Sequence, residues 1–209
     1  MNERKMKIPQ VGLPRGFAGR ITFLFMNRGH KAIYENMAKV LQLQPEDDLV
    51  EVACGNGYFI KKYASNVRSI DGLDLSDLSV KMAIKKNRDR VNAGTAEFVQ
   101  GDASQLPWED HKFSVATVMG GFPMLPEPAD VLKEMYRVLQ PGGRAVVCIE
   151  WNAEDGKDHS KEIEKYGLKV WTGNDVRTLF KEAGFSDPTI TYAKGFMMPK
   201  IMIACGIKH

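Results

Sequence analysis

Leu49-Val50-Glu51-Val52-Ala53 is an apolar run of strand length. It breaks at once into Cys54-Gly55-Asn56-Gly57 and then into Tyr58-Phe59-Ile60. Two glycines there let the backbone turn tightly and approach a ligand with no β-carbon in the way. A strand that turns through glycines into a helix opens a parallel α/β unit, because the helix returns the chain to start a neighbouring parallel strand.

The rest of the chain repeats this alternation. A helix is expected from about Asn27 to Leu43, since Ala32, Ile33, Met37, Val40 and Leu41 recur at helical spacing, and Pro45 ends it. After the glycine turn a short helix reaches about Ala64, and Ser69 to Leu75 is a second strand. Ser76 can cap a helix running to about Val91. Glu97 to Gln100 is a third strand, closed by Gly101-Asp102. Phe113 to Met119 is a fourth, apolar apart from Ser114 and Thr117, as for a strand covered on both faces. Pro126 to Leu139 is a helix with Leu132, Met135, Tyr136 and Leu139 on one face. Pro141-Gly142-Gly143 stops it, and Arg144 to Trp151 is a fifth strand. Residues 152 to 171 are polar and weakly patterned, an insertion with room for a short helix.

Thr172-x-x-Asp175 has the form of a capping box. It opens a helix with Val176, Leu179, Phe180 and Ala183 on one face, ended by Gly184. Thr189 to Tyr192 and Ile201 to Ile207 are the last strands. The loop between them, through Gly195 and Pro199, is too short for a helical crossover, so they pair antiparallel. The expectation is one α/β domain over 1–209, doubly wound, with helices on both faces of a mostly parallel sheet. Within it, 1–45 form an N-terminal arm and cap helix, 46–151 the ligand-binding core, 152–171 the insertion, and 172–209 the last helix and strand pair.

Composition excludes several classes. The chain of 209 residues is 44% hydrophobic and 26% charged, an ordinary globular balance. No apolar run approaches the roughly 20 residues of a membrane span, and Met1 to Gln10 lack the apolar core of a secretory signal. Cys54, Cys148 and Cys205 are an odd number at long, unequal gaps, which fits neither a disulfide framework nor a zinc site. They read as small buried hydrophobes of a cytoplasmic protein. The net charge is +3, yet Arg4, Lys5, Lys7, Arg15 and Arg20 against Glu3 put +4 on the first twenty residues and leave −1 on the rest. That body is no basic surface for nucleic acid. The arm is read as solvated. A monomer or homodimer is expected.

In a doubly wound sheet, ligands bind outside the carboxyl ends of the strands, where strand order reverses. The distinctive residues all fall at such ends: Gly55 and Gly57 after the first strand, Asp74 after the second, Asp102 after the third, and Met119-Gly120-Gly121 after the fourth. Asp74 follows Gly55 by 19 residues, where a carboxylate can accept from two adjacent ribose hydroxyls. Asp102 could accept from an adenine amine. A dinucleotide also wants glycines and an acid, but its third glycine would fall at Ile60, and bulky Tyr58 and Phe59 crowd the helix start. A P-loop is excluded because no Gly-Lys-Ser/Thr occurs.

Glu51-Val52-Ala53-Cys54-Gly55-Asn56-Gly57 resembles the first motif of the class I S-adenosylmethionine (SAM)-dependent methyltransferases. Gly72-Leu73-Asp74-Leu75-Ser76 resembles their second. Gly101-Asp102-Ala103, then Leu106-Pro107 and Phe113, resemble the third, and Leu139-Gln140-Pro141-Gly142-Gly143 is similar to their turn before strand five. The resemblance covers residues 30 to 207. It implies a Rossmann-like seven-stranded sheet whose last strand runs antiparallel. It also implies a SAM-binding enzyme that methylates a small molecule and releases S-adenosylhomocysteine. RNA or protein methylation and a non-catalytic SAM sensor are the alternatives. By the same resemblance Glu51 lies near the methionine ammonium, and Ala53, Cys54, Gly55 and Gly57 pass under the methionyl and ribose part. Asp74 holds the ribose hydroxyls with Leu75 against the adenine, Asp102 and Ala103 meet the adenine edge, and Met119 and Gly120 line the cleft near the methyl group. Two departures stand out. Ser114 replaces an Asp frequent after the strand-four aromatic, which bears on packing. Gly121-Phe122-Pro123-Met124 stands where small-molecule relatives often carry a His.

Methyl transfer from a sulfonium is an in-line displacement that alignment alone can accelerate strongly. A base is needed only if the acceptor must lose a proton. His30, His111, His159 and His209 are poor candidates, and structural or surface roles suit them better. Tyr34 lies one turn from His30, and Glu150 and Trp151 end the fifth strand, a place near substrate in such sheets. No catalytic residue is assigned. Met119, Met124, Met197 and Met198 fall near expected pocket edges, where core filling is the safer reading.

Overall fold

The computed structural model describes residues 16–195 and 198–209. The basic arm up to Arg15 and Met197 therefore lie outside the described residues. The seven strands are β1 (Asp48–Val52), β2 (Ser69–Asp74), β3 (Ala96–Gln100), β4 (Phe113–Val118), β5 (Leu139–Ile149), β6 (Thr189–Ala193) and β7 (Ile201–Ile207). They form one sheet in the order β3-β2-β1-β4-β5-β7-β6. β7 runs antiparallel to both of its neighbours, and the other pairings are parallel. Strand order reverses between β1 and β4.

The strands' period of two sorts side chains onto two cores. Val50, Val52, Ala116, Val118, Val147 and Ile149 face α6 (Pro128–Val138) and α8 (Gly173–Glu182). Leu49, Val115, Val146 and Cys148 face α2 (Lys31–Leu41) and α3 (Tyr58–Tyr63), with α4 (Asp77–Lys86) further along that face. Glu51 and Glu150 have the parity of Leu49 and Cys148. Each core helix has the stripe its sequence promises, such as Val131, Leu132, Met135 and Val138 on α6. The Thr172 capping box is formed: its hydroxyl accepts from the Asp175 amide at 3.2 Å, while Asp175 accepts from the Thr172 amide at 2.8 Å. α7 (Ser160–Tyr166) is the short helix of the insertion, whose ends meet through the Asn152–Trp171 bridge.

Several boundaries differ from the sequence expectation. The cap helix begins far earlier than Asn27, as α1 (Gly16–Gly29). It breaks at His30, where φ −87° and ψ 2° leave the helical region, before α2 resumes. α2 stops at Gln42 in the left-handed conformation, three residues before Pro45. The helix capped by Ser76 pauses at Asn87, whose side chain donates to Gly57 O and Ala83 O, and continues as α5 (Arg88–Asn92). α6 starts two residues late and ends at Val138, because Leu139 is already extended and pairs with Phe113. Pro141-Gly142-Gly143 lies in an irregularity inside β5, which therefore starts before Arg144. Ser114 ties β4 to the β1 entrance: its hydroxyl donates to Asp47 at 2.7 Å and accepts from the Asp48 amide at 3.0 Å.

Candidate active site

A cavity of about 240 Å³ opens where strand order reverses, at the carboxyl ends of β1, β2, β4 and β5, and α1 and the start of α2 cover it. Its lining includes ten of the eleven residues singled out by sequence: Glu51, Ala53, Cys54, Gly55, Asp74, Leu75, Asp102, Ala103, Met119 and Gly120. Gly57 stands apart. It holds φ +65°, and a β-carbon on it would lie 2.6 Å from Asn87 Nδ2, so its bareness lets α3 pack on α4.

Each lining element contributes through its local geometry. Ala53 leaves β1 at φ +56°, a left-handed conformation that costs a residue with a β-carbon about 1–2 kcal/mol. The turn swings the Gly55 N–H onto Asp74 Oδ2 at 2.8 Å, while the Ser76 N–H reaches Oδ1 at 2.9 Å. Asp74 is thus clamped with one amide on each oxygen and further lone pairs to offer. Burial pushes its carboxyl up against the pull of those amides.

Glu51 is buried, 2% exposed, and its Oε2 has no hydrogen-bond partner among the described residues. Burial pushes its carboxyl well above the ordinary range, and the nearby Asp74 charge adds to this. An unpaired buried carboxyl costs free energy unless a cation or donor meets it.

At the end of β2, Leu75 leaves its side chain 46% exposed on the cavity rim, unusual for a large apolar group. With Ala103, Leu125 and Val131 it makes an apolar wall. Asp102 spends Oδ1 on its own turn, accepting from the Ser104 amide and hydroxyl at 2.9 and 2.8 Å.

At the end of β4, a β-carbon on Gly120 would lie 2.6 Å from Glu150 Oε1 and 3.7 Å from the His30 ring. The Gly121 N–H donates to Glu150 Oε1 at 2.9 Å. Glu150 is 1% exposed, its Oε2 has no partner among the described residues, and burial pushes it up to about 7 against its own amide and that of Gly121. Burial lowers the His30 imidazole. The Tyr34 phenol is pushed up by burial and then by Glu51 and Glu150. His30 lines the cavity, whereas His111 sits against Leu139 O and His159 pairs with Asp155 inside the insertion. Met119 and Met124 line it as well, and Met198 packs in the core on the α2 side.

The sequence reading missed Phe23, Met26 and Asn27 of α1, which also line the cavity. Glycines at 16 and 19 masked the helix. A signal was present in Phe23, Asn27, His30 and Tyr34, spaced by four, three and four residues.

Comparison with known proteins came to the same region. Residues 50–147 match the family described as a methyltransferase domain. A demethylmenaquinone methyltransferase of Oceanobacillus iheyensis is 33% identical over 124 residues, 58% of this chain and 51% of the relative. A ubiquinone/menaquinone biosynthesis C-methyltransferase, UbiE, of Ectopseudomonas mendocina is 37% identical over 109 residues, 50% of this chain and 42% of its own. The chain therefore spans about half the length of the curated relatives it matches. A SAM-dependent methyltransferase structure from Aquifex aeolicus superposes with a TM-score of 0.71 at 16% identity, over 93% of this chain and 100% of that one.

Proposed function

We propose that this chain, which carries a methyltransferase domain of the class I SAM-dependent family, transfers a methyl group from SAM to a small-molecule acceptor and releases S-adenosylhomocysteine. The observation that carries the reading is the buried, unpartnered carboxyl oxygen of Glu51 beside the clamped carboxylate of Asp74, at the glycine turn of β1.

The residues present fit the cofactor. Glu51 would meet its ammonium, relieving the unpaired oxygen. Asp74 would take the ribose hydroxyls on the lone pairs its two amides leave free, with Ala53, Cys54 and Gly55 beneath. Leu75 and Ala103 would cover the adenine faces, and Asp102 its edge. Met119 and Gly120 would border the reacting end. Bound there, SAM supplies a sulfonium methyl, an electrophile that needs no further activation. The chain's own part is to align donor and acceptor and exclude water. α1 and α2 roof the cavity with Phe23, Met26, His30 and Tyr34.

A small-molecule acceptor is supported by the roofed cavity and by the names of the relatives, which act on quinone-type molecules. Calorimetric titration tests the cofactor: SAM and S-adenosylhomocysteine both bind, and Asp74→Ala weakens each by about 1–3 kcal/mol. Radiolabelled SAM incubated with a cell extract tests the acceptor, with label expected in the small-molecule fraction. Label confined to RNA or protein would overturn that class. Binding of SAM with label in no fraction would make the chain a sensor.

A further inference from the structure

The cavity holds a third buried acid, one that the proposed cofactor contacts leave unused. Glu150 follows β5, one strand beyond the reversal point, on the same face as Glu51. Its Oε1 is fixed by the Gly121 amide at 2.9 Å, while Oε2 accepts from none of the described residues. Gly120 opens the space beside it: the place where a β-carbon would stand lies 2.6 Å from Glu150 Oε1 and 3.7 Å from His30 Nδ1. Carboxyl and imidazole thus both border the space left open at Gly120, the first of the two glycines that follow β4. Among the described residues, the ionisable groups that feel Glu150 are Tyr34 of α2 and Cys148 two residues before it, and Tyr34 also feels Glu51 of β1. None supplies a positive charge. His30 is held towards its neutral form by burial, and both cysteine and tyrosine are pushed up. A carboxyl held in place, with no cation beside it among the described residues, suits a group that takes up a proton.

Resting on the function proposed above, we infer that Glu150 is the general base of the reaction, and that the acceptor is an uncharged small molecule with an apolar body and a proton that must leave when it is methylated. The Glu150 carboxylate receives that proton as the acceptor's electron pair forms the new bond to the methyl carbon and the carbon–sulfur bond breaks, its electron pair returning to sulfur. The positive charge of the sulfonium and the negative charge of Glu150 are both consumed, leaving a neutral thioether, a methylated product and a protonated Glu150. The uncharged acceptor follows from the site: an anion would enter a cavity already holding Glu51, Asp74 and Glu150. The apolar body follows from Met26, Met124, Phe23 and Trp151 in the lining. The Gly121 amide holds the base without quenching it, since Oε2 stays free.

Glu150→Gln keeps the shape and an oxygen for the Gly121 amide, and Glu150→Asp keeps the carboxylate one methylene back. The parent and both variants are compared with radiolabelled SAM and the small-molecule fraction of a cell extract, with cofactor saturating at every pH so that the ionisation of Glu51 is not read. The parent rate rises with pH and levels off above about 7. Glu150→Gln loses about 10²- to 10⁴-fold in rate and loses that rise. Glu150→Asp recovers part of both. Calorimetry on the same preparations finds SAM affinity within about threefold of the parent, which separates a lost base from a lost fold or cofactor site. A Glu150→Gln protein that binds SAM and keeps the parent's rate and pH profile would overturn the assignment while leaving the methyltransferase reading intact. A parent protein that binds SAM and labels nothing would overturn both.

Discussion

Glu51 contributes opposite effects to folding and to binding. Its carboxyl is buried, short of a partner and displaced upward by desolvation and by Asp74. Above the ordinary value of 4.5 the unfolded chain ionises while the native state keeps its proton, so this group lowers stability as pH rises. Glu51→Gln removes that slope. Its melting temperature relative to the parent should climb between pH 5 and 8, by differential scanning calorimetry. SAM binding should weaken by about 1.5–3 kcal/mol and lose most of its pH dependence, because an ammonium needs the ionised acid. Equal pH dependence of binding in parent and variant would place the ammonium elsewhere. At this scale much was legible. Strand-end acids and glycines are conspicuous in a sequence because few other roles call for them there. Glu150 was harder to read: a polar residue after an apolar run looks like any strand end until the Gly121 amide and the bare Gly120 are seen beside it.

The elements form where local chemistry agrees with the apolar pattern. α8 is the clear case, with a reciprocal cap at Thr172 and Asp175 and with Val176 and Phe180 buried beneath. Thr172→Ala should cost about 1 kcal/mol, read as a lower urea midpoint with an unchanged slope. A changed slope would mean that the insertion from Asn152 to Trp171 unfolds with the cap. The breaks were less legible than the helices. His30 interrupts the cap helix and Asn87 interrupts the helix after Ser76, and neither position carries glycine or proline. Asn87 stops there because its amide turns towards Gly57 O, a partner 30 residues away. Leu139 was assigned to a helix by its spacing, but pairing with Phe113 draws it into β5. In both places a distant hydrogen bond outweighed a local preference.

Across the whole molecule two sets of carboxyls oppose each other. Burial works against Asp47, yet Arg144, the Gln44 amide and Ser114 outweigh it and hold its carboxyl low. Arg68 does the same for Asp48, and Arg137 for Glu134. These contribute stability above their ordinary values of 3.8 and 4.5, and it is lost as pH falls through the lowered ones. Glu51, Asp74 and Glu150 are displaced upward, and their contribution turns unfavourable as pH rises, up to about 7 for Glu150. The stability maximum should therefore fall on the acid side of neutrality, at about pH 5. Saturating SAM should move it towards neutral by giving Glu51 a cation. Thermal unfolding from pH 3 to 8, with and without SAM, measures this, and an unmoved maximum would count against the pairing. By itself the sequence determined the alternation of strands and helices, the antiparallel ending and most of the strand-end residues that line the cavity. All of these follow from local spacing and from residues adjacent in the chain. Only the tertiary structure decided the acceptor end. There the β4 turn and β5, 29 residues apart at Gly121 and Glu150, meet α1 from near the start of the chain, and what Glu150 can do depends on which neighbours reach its second oxygen.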